Sequence, residues 1–251
     1  SMRETQKYFP VKDGKGALLP YFVAVNNTCI EDRSLAASGH ERVLRARLED
    51  ALFFFNEDRK AKMESHCQRL DGIVFHQKLG TMQAKSARIV ALAGFLADRL
   101  TPELSDTVRR AAQLAKTDLL TGMVGEFPEL QGTMGRYYAR HDGESEAVAD
   151  AIAEHYQPRF AGDALPASPT GLALALADKL ETLAGIWGIG QRPTGDKDPF
   201  ALRRHALGVV RILIEGKLTL SLPALLEQAF SVFDKLPAPA VADTEPSDKT
   251  A

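Results

Sequence analysis

The sequence predicts a mainly α-helical chain with a short β-hairpin segment and a long connecting helix in front of a helical domain, on three observations. Apolar residues recur at three- and four-residue steps over most of the chain after Gly39. Ser168-Pro169 and Asp198-Pro199 each place a capping side chain before a proline at the first helical position, where its missing N–H costs nothing. Strand-like residues are confined to Lys7–Val11 and Leu18–Val25, which the turn-forming Asp13-Gly14-Lys15-Gly16 joins as a hairpin.

Two strands alone are marginal in water, so the hairpin is expected either to continue a sheet lying upstream or to pack on a helix. Val43, Leu44, Leu48, Leu52 and Phe55 predict a long helix over His40–Lys60. Further helices are expected at Thr81–Leu100, Ser105–Val124, Pro128–His141, Glu144–Tyr156, Pro169–Trp187, Pro199–Ile214 and Leu222–Phe233. Pro237–Ala251 is rich in Pro, Ala, Asp and Ser, with no large apolar residue beyond Val241, and is expected to be a disordered tail. The expected division is a β-containing segment of an upstream domain at 1–38, a connecting helix at 39–60, a helical domain at 61–216, a partial helical segment at 217–236 and the tail at 237–251.

The 251 residues, 45% hydrophobic and 25% charged, suffice for one large domain or two smaller ones. A formal charge of -2 excludes the strong basic excess of a protein that coats nucleic acid, so any RNA contact must use a local patch. Cys29 and Cys67, far apart, make neither a disulfide scaffold nor a zinc site of paired Cys-x-x-Cys motifs. The chain shows neither an apolar run of membrane-spanning length nor an export signal, which makes the cytoplasm the expected compartment. Ser1-Met2 has the look of a remnant of tag removal, which suggests an excised segment.

Three stretches stand out. In AAQLAKTDLLTGMVGEFPELQGTMGRYYA, from Ala111, a helical run stops at Gly125-Glu126-Phe127-Pro128 and restarts. In ALADKLETLAGIWGI, from Ala175, the charges of Asp178, Lys179 and Glu181 lie within an apolar helix and must be exposed, paired or functional. GQRPTGDKDPFALRR, from Gly190, is a loop whose glycine spacing does not match a phosphate loop.

Together with LPYFVAVNNT and GHERVLRARLEDALFFFNEDRK upstream, and with PTGDKDPFALRRHALGVVRI, these blocks resemble the bacterial glycyl-tRNA synthetase β subunit of the α2β2 type, in the same order over roughly residues 5–233. The resemblance implies a role in ATP-dependent ligation of glycine to tRNA. The α subunit would bind glycine and ATP and make the adenylate, and the β subunit would serve productive tRNA binding. Its implied partners are the α subunit and glycine tRNA, with no membrane contact. ATP and Mg belong to the full enzyme, and neither cofactor nor metal is expected within this segment.

The resemblance also implies an HD-like fold for the helical domain, named for a metal-binding His...His-Asp...Asp pattern of phosphohydrolases. His76 matches the first ligand, Thr117-Asp118 the dyad and Asp178 the last. Threonine in place of the dyad histidine removes an imidazole that a divalent metal would need. No catalytic residue is therefore expected, metal-dependent phosphohydrolysis is the alternative, and a scaffold without nucleic-acid contact is the third reading. In the inactive readings His76 is a hydrogen-bonding histidine, and Asp118 and Asp178 pair with Lys116, Lys179 or a nearby arginine. His141, His155 and His205 are then structural.

For tRNA, the candidates are Lys197, Arg203 and Arg204 around the Asp198 corner, and Arg136, Tyr137 and Arg140 on a second helix. Two arginines in a helix's first turn oppose its positive dipole end, a cost that a phosphate would relieve. Tyr137 beside Arg136 could stack on an unpaired base. Against this, each arginine could instead pair with Asp196, Asp198 or Glu181. The basic residues of the first long helix are balanced by acids and read as a solvated face or a subunit contact.

Overall fold

The structure, a computed structural model, describes Arg3 and residues 7–233, so the tail expected over Pro237–Ala251 lies outside the described residues. In chain order it runs β1 (Tyr8–Lys12), β2 (Leu18–Ala24), α1 (Arg33–Asp58), β3 (Val74–His76), β4 (Gly80–Thr81), α2 (Met82–Leu100), α3 (Ser105–Leu114), α4 (Gly122–Glu126), α5 (Thr133–His141), α6 (Glu146–Glu154), α7 (Pro169–Gly188), α8 (Leu202–Glu215) and α9 (Leu222–Ser231). The chain is mainly α with an N-terminal hairpin and a long helix, as its sequence predicts. It divides into two compact units, one of residues up to 61 with 121–130, the other of 62–120 with 131 onward.

In the first unit β1 and β2 pair antiparallel, Tyr8 opposite Ala24 and Pro10 opposite Phe22, with an irregularity before Lys12. Asp13 closes the turn by accepting from the main-chain N–H groups of Lys15 and Ala17. Helix α1 starts at Arg33, earlier than His40, because Asp32 caps the N–H groups of Ser34 and Leu35. The hairpin is tied to α1 through Tyr8, whose hydroxyl lies 3.0 Å from His40 Nδ1. At the other end of α1 the Asp58 carboxylate accepts from Gly122 N and Met123 N, holding the start of α4.

In the second unit α7 is the hub: α2, α3, α6, α8 and α9 all pack on it, and most of its side chains from Thr170 to Ile186 are buried. Ser168 caps it, with Pro169 in the first turn, as expected. A small core of Leu79, Ile186, Ile189 and Leu202, with Phe75, Phe200 and Phe233 against it, closes one end.

Three expected helices are corrected. The helix expected over Ser105–Val124 ends at Leu114, passes through a 3-10 turn at Thr117–Leu120 and resumes as α4, because the Thr117 hydroxyl bonds back to Leu114 O and Thr121 recaps the chain. The helix expected over Pro128–His141 likewise has a 3-10 turn first and begins at Thr133, after Gly132 takes a φ of 79°. The helix expected from Pro199 begins instead at Leu202, because Ala201 adopts a left-handed backbone (φ 53°). Asp198 still supplies the cap, accepting from Leu202 N at 2.8 Å and Arg203 N at 3.0 Å. Strands β3 and β4 were not predicted, being too short to alternate.

Candidate functional site

Burying charges is costly unless each finds a partner, and the charged residues of α7 do so. Glu181 is fully enclosed and takes ion pairs from two residues of α2, Lys85 and Arg88, the latter at 2.8 Å. Lys85 also donates to Thr182 Oγ1 at 2.7 Å and lies over the Phe75 ring. The next charge, Lys179, donates to the main-chain carbonyls of His155 and Gln157 at 3.3 and 2.7 Å, and burial lowers it to about 8. Gly208 on α8 leaves room for it, since a Cβ there would stand 2.8 Å from Lys179 Cε.

Asp178 meets Lys116, whose Nζ is 3.0 Å from its carboxylate and 2.8 Å from His155 Nε2. The same ammonium lies 4.2 Å from the centre of the Tyr156 ring. Because His155 Nδ1 donates to Ile152 O at 2.6 Å, its Nε2 is the acceptor facing Lys116. Burial first, and then Lys116, depresses His155 well below the usual range, which keeps its imidazole neutral. Burial also raises the cost of charge on Asp178, but the ammonium groups of Lys116 and Lys85 outweigh it and hold the carboxyl far below its ordinary value. Lys116 is lowered by burial, against the opposing pull of Asp178.

The four HD positions are not assembled into a ligand set. His76 is half-buried on β3, where Nδ1 accepts from Lys78 N, Nε2 faces Gln191 at 3.2 Å and the ring meets Phe200. Thr117 turns its hydroxyl onto Leu114 O. Asp118 Oδ2 accepts from Gly132 N at 2.6 Å and Gly135 N at 3.2 Å, while burial raises its carboxyl to about 6. Asp178 faces the Lys116–His155 pair directly, and there an ammonium stands against the carboxylate that a metal would require. Among the described residues no group of three His, Cys, Asp or Glu side chains is placed to hold a metal ion. These residues do not fit a divalent hydrolytic centre.

The tRNA candidates fall on two elements with different electrostatics. On α5, Arg140 pairs with Glu146 and with Asp150, at 3.0 Å for the latter, and Arg136 reaches Asp150 at 3.7 Å. Tyr137 is 48% exposed, with the Arg136 guanidinium 5.7 Å from its ring centre. Around the start of α8, Lys197 is exposed in a tight turn closed by Thr194. Among the described residues the guanidinium groups of Arg203 and Arg204 donate to main-chain carbonyls, those of Gly195 at 2.7 Å and Arg159 at 3.4 Å. Neither forms a salt bridge among the described residues, although the charge of Arg203 helps to hold the Asp198 carboxyl below its ordinary value, whereas Arg136 and Arg140 are both paired with carboxylates. Sequence reasoning missed Trp187 and Arg192, whose guanidinium carbon lies over the Trp187 ring, 5.3 Å from its centre. The aromatic closing an apolar helix next to a basic loop was the available signal.

Comparison with known proteins adds lineage to this geometry. A family described as glycyl-tRNA synthetase beta subunit matches residues 1–249. The chain is 56% identical over 240 residues to the glycine--tRNA ligase beta subunit of Janthinobacterium sp. (strain Marseille), covering 95% of this chain and 34% of that protein. It is 57% identical to the same subunit of Aromatoleum aromaticum (93% and 33% covered) and 54% identical to that of Salmonella paratyphi B (97% and 35%). The chain therefore spans about a third of the length of the curated relatives it matches. Among the described residues no helix is long and apolar enough to cross a membrane.

Proposed function

We propose, given that the chain belongs to the glycyl-tRNA synthetase β-subunit family, that it is a non-catalytic, HD-like module that positions glycine tRNA and braces the β subunit. Its work would be done in the cytoplasm within an α2β2 enzyme that joins glycine to tRNA with ATP and Mg, the adenylate being made by the α subunit. The observation that carries the non-catalytic part is Lys116, whose ammonium lies between Asp178 and His155 where the phosphohydrolase reading needs a cation-binding cluster. The tRNA part is supported by the exposed Lys197, Arg203 and Arg204 at the start of α8, none of which forms a salt bridge among the described residues.

Phosphate contacts give register and affinity without reading sequence, which suits a basic patch on a chain of net charge -2. The test uses two assays on the purified protein. With Mn²⁺ and a phosphodiester substrate, no turnover is expected, and measurable hydrolysis would restore the enzymatic alternative. In a gel shift with glycine tRNA, binding that weakens steeply with salt is expected; absence of binding at low salt would leave only the scaffold reading.

A further inference from the structure

Trp187 stands in the last turn of α7 with 46% of its surface exposed, at the lip of a groove of about 310 Å³ between α7, α8 and α9. The groove is apolar, walled by residues such as Leu180 and Leu183 of α7, Val209 and Val210 of α8, and Phe230 of α9. Arg192 lies over the Trp187 ring, and Arg203 stands one turn before Ala206 and two before Val210 on the groove face of α8. Neither guanidinium lies in a salt bridge with a carboxylate among the described residues; Asp198 caps α8 and feels the charge of Arg203, while Arg192 stands against the Trp187 ring.

From this juxtaposition we infer that the groove seats an unpaired nucleotide of single-stranded RNA, its base against the Trp187 ring and its phosphates on Arg192 and Arg203. A nucleobase offers a flat apolar face to the ring, and every base has one, so a lining without polar side chains selects for an unstacked base rather than for its identity. A duplex cannot enter, because its bases are already stacked on each other. An apolar protein segment could fill the groove but would leave the cations at its mouth unmatched. The inference rests on the proposal that this region handles tRNA, and it names the part of the tRNA concerned: an unpaired nucleotide.

Trp187 is the only tryptophan in the chain, so its emission reports this site alone. The 251-residue chain is titrated with a single-stranded oligoribonucleotide of about eight nucleotides and, separately, with a duplex of the same length. Saturable quenching by the single strand and none by the duplex is expected. Arg192→Glu, a surface change, should weaken binding by roughly tenfold or more, and Trp187→Ala, followed with a labelled oligonucleotide, by roughly ten- to a hundredfold. Equal quenching by the duplex, or unaltered binding by Arg192→Glu, overturns the inference. Failure of the single strand to quench, while glycine tRNA still shifts in a gel, overturns it and spares the tRNA reading. Failure of both RNAs to bind removes the two together. If RNA-free α subunit changes the emission and blocks the oligonucleotide, the groove is a protein interface and the inference falls.

Discussion

Asp178 and Lys116 are where a single substitution says most about this molecule. Losing one partner of a buried pair leaves an uncompensated charge, whereas replacing both with apolar side chains of similar size is often neutral. Lys116→Met is expected to destabilise by about 3–5 kcal/mol and the double Lys116→Met, Asp178→Leu variant by much less, read from urea midpoints. Equal loss in both variants would show that the pair is not what sets the cost. His205, half-buried on α8, is pushed by desolvation from 6.5 to about 4. The unfolded chain therefore binds more protons between those values, and the stability from keeping His205 neutral, full above pH 6.5, is lost as pH falls towards 4. Asp118 acts oppositely: its folded carboxyl keeps a proton to about pH 6 against 3.8 ordinarily, so its contribution is lost as pH rises through that window. The advantage of the natural protein over His205→Gln should shrink by about 3 kcal/mol between pH 7 and 4; an unchanged margin would mean the imidazole titrates normally. The pairing of Asp178 was legible in the sequence because a carboxylate inside an apolar helix has few outcomes. The choice of Lys116 over Lys179 was not, since it depends on Lys179 being drawn to two carbonyls from a neighbouring loop.

At the scale of elements, α5 and α6 approach closely over glycine. A Cβ at Gly135 would lie 2.7 Å from Ile152 Cγ2 and 3.0 Å from Asp118 Oδ2, both enclosed, so Gly135→Ala should cost about 1–3 kcal/mol through overpacking. Gly125→Ala, where nothing lies within 4 Å, should be neutral or slightly stabilising in the same thermal melts. Comparable losses at both positions would contradict the packing described. Helices with a cap and a continuous apolar period, such as α2 after Thr81 and α7 after Ser168, could be read from the sequence almost to the residue. The run through Thr117 and Gly132 could not, because its breaks come from a threonine bonding to its own turn and from Asp118 collecting N–H groups fourteen and seventeen residues ahead. The early start of α1 hid behind Ser34 to Ala37, where only the Asp32 cap marks it.

Over the whole molecule the net charge of -2 conceals an uneven distribution. The six candidate residues for tRNA binding were indistinguishable in sequence, since each basic residue had an acid within reach along the chain. Folding separates them, because α6 brings Glu146 and Asp150 into salt bridges with Arg136 and Arg140, while Asp198 spends its oxygens on capping α8 and, among the described residues, Arg203 and Arg204 form no salt bridge. The most direct test puts charge reversals at these two places in the intact two-subunit enzyme and measures tRNA affinity across a salt series, with glycyl-adenylate formation as control. Arg203→Glu with Arg204→Glu is expected to weaken tRNA binding and reduce the salt slope by about two, with adenylate formation unchanged, while Arg136→Glu with Arg140→Glu stays near the natural enzyme. Natural affinity in the first variant, or a loss of tRNA binding confined to the second, would contradict the account.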